Sequence, residues 1–323
     1  MLAPLHGRSR ARTCVFATVS FVLLIVLSSL PLLRATAPRV VFNTDQPPDS
    51  EIPIPKSIWQ IFFPPPGAAV LDHDLVHSND WIEMAPGYTY TLVSASEADR
   101  FIAENFGHRP EIGETYHALT NPAQKSDFLR YLLLYIRGGL YADVDTKPLV
   151  RLDDWIPPER RRDVKLLIAV EYDETVEAHP DDFTYPVQFC QWTIAAAPRH
   201  PVFAKMIDRV LTGLNDVARV QGTTLDKVNI SDYNVLNTTG PVAWTEVVFS
   251  LLQETSPNPS ESSIKTFADV MGIKEDRYHG DVVIMPSETF RGDYLDDWGI
   301  SLRQRRKSLV RHFFKGAWKN TPT

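Results

Sequence analysis

The chain has 323 residues and a formal net charge of −7, with 44% hydrophobic and 23% charged residues. This composition is typical of a globular protein, and its mild acidity argues against a surface that binds nucleic acid. Of the two cysteines, Cys14 lies in an apolar run and Cys190 in the body of the chain, so a fold held together by disulfides is excluded.

The N-terminal segment has the pattern of a membrane anchor. Arginines within residues 8–12 precede an uncharged apolar run over 14–33. As a helix, this run would be about 30 Å long and would match the hydrocarbon core of a bilayer, whereas a cleavable signal usually has an apolar region of about 7–15 residues. The pattern predicts a cytosolic tail at 1–13 and a transmembrane signal anchor at 14–33. Cleavage near 35–37 and a buried soluble helix are the alternatives.

The remainder of the chain divides into a linker and one large domain. Residues 34–52 are rich in Pro, Asp and Thr and are predicted to form an extended stem. Residues 53–319 are numerous enough for a single α/β domain with a full core. Since the arginines precede the anchor, this domain is expected on the lumenal side of the membrane.

Strands and helices alternate in the first part of this domain. A strand is predicted over 52–61, where prolines precede an apolar run that contains Gln60. Three further elements are predicted from periodicity and capping residues: a helix over 72–84, a strand over 86–93 and a helix over 96–105 capped by Ser94 or Ser96.

The segment 121–149 has the clearest local signals in the chain. Asn121 can cap a helix, Pro122 suits its first position, and Gln124 has the spacing of a capping box. An apolar face at helical spacing follows, and Gly138-Gly139 is predicted to end the helix because a left-handed residue is favourable only without a Cβ.

Two aspartates follow this helix at the end of a predicted strand that runs through Val144 and is closed by Pro148. Asp143 and Asp145 would point the same way on an extended chain, so both could bind one hard cation at a strand end of an α/β sheet. One helical turn apart, Asp127 and Arg130 offer an acceptor and a forked donor on a common face. A second Asp-x-Asp at 72–74 is predicted to lie in a loop.

The run from Lys125 to Asp145 resembles the pattern KSDxLRYxxLYxxGGxYxDxD of glycosyltransferase family 32, the DxD enzymes related to fungal Golgi α-1,6-mannosyltransferases. The resemblance implies a GT-A-type nucleotide-sugar transferase fold, a single Rossmann-like mixed sheet flanked by helices. It also implies retaining transfer of mannose from GDP-mannose to an N-glycan core in α-1,6 linkage, with Mn²⁺ or another divalent cation. A Golgi type II membrane protein with a lumenal catalytic domain follows from this family, with further mannosyltransferase subunits as partners.

The resemblance assigns roles to individual residues. Asp143, Asp145, Asp127 and Arg130 are the predicted catalytic set, and the run HFFKGAWK adds His312 to Asp143 and Asp145 as a metal ligand. This run has Ala317 where the family usually has Ser, which removes one hydroxyl contact. The predicted donor-binding residues are Gln60, Lys125, Asp127, Arg130, Tyr141, Asp143, Gly240 and Lys319. Gly240 belongs to a TGP turn that could bring backbone N–H groups to an anion.

The later elements complete the predicted domain. They are a strand over 165–170 ending in carboxylates at Glu171 and Asp173, a strand within 188–197, an amphipathic helix over 201–215, a strand over 281–286, an irregular insert over 290–299 and a basic stretch over 303–319. The carboxylates at 171–173 have two readings, a group that faces the acceptor or a solvated turn.

Other functions are alternatives to the transferase. Transfer to an inositol-phosphoceramide lipid and an inactive glycan-binding relative are the alternatives within the family. A phosphotransferase of the haloacid-dehalogenase type would need Thr or Val where this chain has Lys147. The sequence has no phosphate-loop, HExxH, CxxC or GxSxG motif, so those enzyme classes have no support.

Overall fold

The computed structural model describes residues 53–64, 75–176, 183–255, 257–258, 260–290 and 308–314, which all fall within one unit, 43–323. Several predictions lie outside these ranges: the tail at 1–13, the anchor at 14–33, the stem at 34–52, the second Asp-x-Asp at 72–74, most of the insert at 290–299, Ala317 and Lys319. Among the described residues, no helix combines the length and the apolar character required to cross a bilayer.

Ten strands and seven α-helices occur in the described ranges. The strands are β1 (Ser57–Ile61), β2 (Thr89–Val93), β3 (Gly139–Ala142), β4 (Thr146–Pro148), β5 (Leu166–Asp173), β6 (Val187–Phe189), β7 (Thr193–Ala196), β8 (Arg277–His279), β9 (Val282–Met285) and β10 (Val310–His312). The helices are α1 (Ser78–Met84), α2 (Ala95–Phe106), α3 (Pro110–Ala118), α4 (Pro122–Arg137), α5 (Pro201–Gln221), α6 (Asp232–Thr238) and α7 (Pro241–Glu254).

The main sheet is mixed, as predicted. In the described part of the chain its order is β2-β1-β3-β7-β5-β9-β8, with β6 paired to β5. β1 is parallel to both β2 and β3, whereas β7 is antiparallel to both β3 and β5. A separate two-stranded sheet joins β4 to β10. The mixed sheet flanked by helices therefore confirms the α/β prediction.

Helix α4 lies in the core beside the sheet. Asn121 caps it by accepting hydrogen bonds from the N–H groups of Ala123 and Gln124, as predicted. An aromatic stack connects α4, α5 and α7, because Tyr131 and Phe203 both lie against Trp244, with ring centroids 5.4 and 5.8 Å from it. These buried contacts fix the helix that carries Asp127 and Arg130.

Gly138 ends α4 and Gly139 begins β3, with positive φ angles of 63° and 91°, so the predicted glycine stop is confirmed. Both positions also need glycine for space. A Cβ at Gly138 would lie 2.6 Å from the backbone nitrogen of Pro198, and one at Gly139 would lie 2.6 Å from the carbonyl oxygen of Ser57. The close approach lets β3 enter the sheet directly after the helix.

We expect Gly139→Ala to lower the free energy of unfolding by more than the about 1–3 kcal/mol that backbone strain alone costs. The added Cβ must displace β1 as well as adopt an unfavourable φ. Gly87→Ala is the matched control, because Gly87 has a φ of 84° and no atom within 4 Å of an added Cβ. Chemical denaturation would measure both variants, and equal losses would contradict the steric argument.

Three local predictions were wrong. The strand after Gly139 ends at Ala142, and Val144 lies in a turn because the N–H of Thr146 bonds back to the carbonyl of Asp143. Pro148 belongs to β4 instead of ending β3. Gln124 does not close a capping box, since its side-chain amide donates to the hydroxyl of Thr238.

Other boundaries moved by a few residues. Helix α1 begins at Ser78, and β5 continues through Asp173, so Glu171 and Asp173 are part of the strand. Asp173 is buried and accepts hydrogen bonds from Thr175 and from the N–H of Gly272, which excludes a solvated turn there. Helix α5 extends to Gln221.

Candidate active site

The two aspartates of the DxD motif lie on a turn with a fixed backbone. The carbonyl oxygen of Asp143 accepts hydrogen bonds from Thr146 N–H (3.2 Å), Thr146 Oγ1 (2.5 Å) and Gln60 Nε2 (3.0 Å). The N–H of Asp143 donates to the carbonyl of Trp192 at 2.9 Å. A short polar residue suits the first position of such a turn, and the turn brings Asp143 and Asp145 to one side.

The small β4–β10 sheet brings the C-terminal part of the chain to this turn. His312 is opposite Thr146 in the antiparallel register, and the N–H of Phe313 donates to the carbonyl of Asp145 at 3.0 Å. The ring of Trp192 lies against the ring of His312, with centroids 4.5 Å apart. The main chain next to His312 and the imidazole itself are therefore both held in place.

Asp143, Asp145 and His312 form a cluster that could hold a metal ion. One ligand atom from each residue lies within 4.8 Å of the others. His312 Nε2 is 3.2 Å from Asp145 Oδ1, and His312 Nδ1 is buried without a hydrogen-bond partner among the described residues. Two carboxylates with one imidazole suit a hard to borderline divalent cation, so these residues fit a metal. Their role as ligands stays a prediction.

Arg130 links the DxD turn to a second buried carboxylate. Its side chain is 4% exposed, and its guanidinium lies 2.7 Å from Asp127 Oδ1 and 3.4 Å from Asp143 Oδ1. It also donates to the carbonyl of Gln191 at 3.1 Å and lies over the ring of Tyr141, 4.5 Å from the centroid. The planar guanidinium of arginine can contact all these partners at once, whereas the ammonium of lysine cannot.

Burial and charge shift the protonation of this network. Burial raises the pKa of Asp127 to about 6; Arg130 opposes this shift and the charge of Asp143 adds to it. The pKa of the Tyr141 hydroxyl is raised well above its ordinary value, first because of burial, while Arg130 lowers it and Asp143 raises it. Tyr141 thus stays a neutral donor, and its hydroxyl bonds to Asp143 Oδ1 at 2.5 Å.

Gln191 and Thr239 belong to the site, although the sequence did not single them out. Thr239 Oγ1 donates to Asp127 Oδ2 at 3.0 Å, and Gln191 Nε2 lies 3.5 Å from Asp127 Oδ1. The hydroxyl of Tyr131 bonds to the side chain of Gln191 and the carbonyl of Thr239. Thr239 belongs to the TGP turn and Gln191 to the segment in which a strand was predicted within 188–197, but neither side chain had a signal of its own.

Four predicted donor-binding residues have other contacts in this structure. Gln60 is fully buried, and its side-chain amide donates to the carbonyl of Asp143. The hydroxyl of Tyr141 bonds to Asp143 Oδ1, and its ring lies against the guanidinium of Arg130. Lys125 places its ammonium 5.3 Å from the ring centroid of Tyr116. A Cβ at Gly240 would lie 2.7 Å from the Cα of Leu236, so this glycine permits a close approach within the chain. Their donor contacts stay predictions.

Glu171 supports the histidine side of the site. Its carboxylate accepts hydrogen bonds from Trp192 Nε1 and Gln188 Nε2, each at 2.8 Å. The first of these bonds fixes the indole that lies against His312. Of the two readings of the carboxylates at 171–173, the solvated turn is therefore wrong at Glu171, and a contact with the acceptor stays a prediction.

Comparisons with known proteins agree with this site. Residues 72–162 match the family described as a glycosyltransferase sugar-binding region containing a DXD motif. An initiation-specific α-1,6-mannosyltransferase of Schizosaccharomyces pombe is 30% identical over 83% of this chain and 64% of its own length. The chain therefore spans less than two thirds of that relative.

Two further proteins match a smaller share of this chain. A mannosyl phosphorylinositol ceramide synthase of Saccharomyces cerevisiae is 29% identical over 39% of this chain and 28% of its own length. Among solved structures, the PaToxG glycosyltransferase aligns over 62% of this chain and 71% of that chain, with 19% identity and a TM-score of 0.43.

Residues 72–162 of this chain therefore match a DXD-containing sugar-binding region of the glycosyltransferases. The predicted resemblance to the fungal α-1,6-mannosyltransferases is confirmed.

Proposed function

We propose that this protein is a GT-A-type, metal-dependent retaining mannosyltransferase. It transfers mannose from GDP-mannose to an N-glycan core, with α-1,6 linkage of the outer-chain initiation type, and its divalent ion is Mn²⁺. It is a single-pass type II protein of the Golgi membrane with its catalytic domain in the lumen, where further mannosyltransferase subunits are partners. The observation that carries the proposal is the convergence of Asp143, Asp145 and His312 within 4.8 Å.

The chain's own residues have distinct parts in this reaction. Asp143, Asp145 and His312 would hold the ion, which would supply positive charge to stabilise the departing diphosphate. Arg130 keeps the carboxylate of Asp143 in place through its 3.4 Å contact. Asp127 and Arg130 also orient the donor sugar.

Retention at the anomeric carbon is implied by the family resemblance. Among the described residues, Asp127 is committed to Arg130 and Thr239, and Glu171 to Trp192 and Gln188. Neither carboxylate is placed as an assured nucleophile. Attack by the acceptor hydroxyl on the same face as the departing diphosphate is therefore the route that we favour.

Transfer to an inositol-phosphoceramide lipid is the second candidate. The synthase of that class matches 39% of this chain, whereas the α-1,6-mannosyltransferase matches 83%. The longer match favours the glycan acceptor. An inactive glycan-binding relative is disfavoured, because the acidic pair and the histidine are all in place.

The test is an assay of the full-length protein, purified in mild detergent, with GDP-mannose and Mn²⁺. Trimmed N-glycans and inositol-phosphoceramide serve as competing acceptors, and product linkage is mapped. We expect transfer to the glycan in α-1,6 linkage, abolished by a chelator and restored by Mn²⁺. Transfer to the lipid alone would establish the second candidate, and no turnover with either acceptor or water would refute the enzyme.

A further inference from the structure

Gln60 is a polar side chain with no exposed surface, on a strand whose neighbours are apolar. Each end of its amide has a partner. Oε1 accepts from the hydroxyls of Tyr90 (2.7 Å) and Ser78 (3.0 Å), and Nε2 donates to the carbonyl of Asp143 (3.0 Å). Buried polar groups are costly unless such bonds are formed, so the position is specified by its contacts.

The bond to Asp143 connects the start of the metal-binding turn to the rigid part of the fold. Tyr90 lies on β2 and Ser78 at the start of α1. Together with β1, which carries Gln60, these elements fix the orientation of the Gln60 amide. The turn is held from its other end by Trp81, whose indole donates to the carbonyl of Thr146 at 3.1 Å. Main-chain position within the turn decides where both carboxylates point.

We propose that Gln60 is a positioning residue for the metal site, and that it acts through the main chain of Asp143 without touching the ion or the donor. The amide of Gln60, oriented by Tyr90 and Ser78, sets the direction of the Asp143–Asp145 turn. This inference rests on the proposed function, since it assumes that the turn binds a divalent cation. It replaces the predicted donor contact of Gln60 by a role in preorganising the ligands.

The experiment measures the affinity for Mn²⁺ in the presence of GDP, from the electron paramagnetic resonance signal of free Mn²⁺, with the full-length protein. We expect Gln60→Leu to raise the dissociation constant for Mn²⁺ by about 10–100-fold, the range found for residues that support metal ligands. At saturating Mn²⁺, the KM for GDP-mannose should change much less than this constant.

Gln124→Leu is the matched control. Gln124 is also fully buried and also donates its amide within the chain, to Thr238 at 3.0 Å, without contact to the DxD turn. Both variants should lose stability, but only Gln60→Leu should lose Mn²⁺ affinity. If both lose the affinity alike, the effect is a general loss of structure and the inference is wrong.

Two further results keep the test decisive. If Gln60→Leu does not fold, the milder Tyr90→Phe removes one hydrogen bond to Gln60 and should still weaken Mn²⁺ binding several-fold; unchanged binding would overturn the inference. If the wild type itself binds no Mn²⁺ and transfers no mannose, the proposed function fails. Mn²⁺ binding by the wild type that Gln60→Leu leaves unchanged would reject the role of Gln60 alone.

Discussion

We expect Asp145→Asn to reduce mannosyl transfer by about three orders of magnitude while the unfolding midpoint stays near that of the wild type. The amide has nearly the same shape but lacks the charge that holds a divalent cation. Such a cation contributes several kcal/mol of charge stabilisation, and about 1.4 kcal/mol corresponds to a factor of ten in rate. The main-chain bond from Phe313 to the carbonyl of Asp145 is kept in the variant, so the β10 contact should persist.

The measurement is the rate of transfer over a range of Mn²⁺ concentrations, together with a thermal unfolding curve. Asp216→Asn is the control, because Asp216 is an exposed carboxylate that pairs only with Arg219 on the same helix among the contacts described. It should leave both rate and midpoint unchanged. Full Mn²⁺-dependent activity of Asp145→Asn would refute the assignment of the DxD turn.

The sequence predicts correctly those parts of the site whose conformation depends on neighbouring residues. The cap at Asn121, the apolar face of α4 and the glycine stop all depend on neighbours within one or two helical turns, and all three are present. The prediction that Val144 continues the strand was wrong, because an apolar residue after a buried strand gives the same pattern whether the chain stays extended or forms a turn. The hydrogen bond that decides between these conformations involves Thr146, which had no strand or turn signal of its own.

The rest depends on contacts between distant segments. His312 reaches the aspartates because β10 pairs with β4, and both are three-residue strands without a periodic signal. Gln124 has the spacing of a capping box, yet the buried hydroxyl of Thr238 takes its amide. The side-chain amide of Gln60 donates to the main chain of Asp143, 83 residues further along the chain, and no local pattern predicts this contact.

Arg130→Met should have the largest effect on stability. It leaves Asp127 buried without its cation, and removal of one partner of a buried pair costs about 3–5 kcal/mol. Arg209→Met is the control, because Arg209 also bridges a carboxylate, Glu246, and a main-chain carbonyl, that of Asn237, but is 30% exposed. That variant should lose about 1 kcal/mol or less. Denaturant unfolding at neutral pH measures both, and equal losses would contradict the argument from burial.

The loss in Arg130→Met should also depend on pH. Arg130 lowers the pKa of Asp127, so its removal raises that pKa beyond about 6. A carboxyl group whose pKa is higher in the folded than in the unfolded state stabilises the fold while it keeps its proton, and this contribution is lost as pH rises through the folded pKa. The deficit relative to wild type should therefore be smaller at pH 5 than at pH 8.

The double variant Asp127→Asn/Arg130→Met separates an unpaired charge from lost packing. With neither charge present, no ion is left buried alone, and the asparagine oxygen can still accept from Thr239. We expect the double variant to be more stable at pH 8 than Arg130→Met alone, with the pH dependence removed. A double variant as unstable as the sum of its single changes would mean that Arg130 stabilises the fold through its contacts with Tyr141 and Gln191 instead, and that the charge of Asp127 matters little.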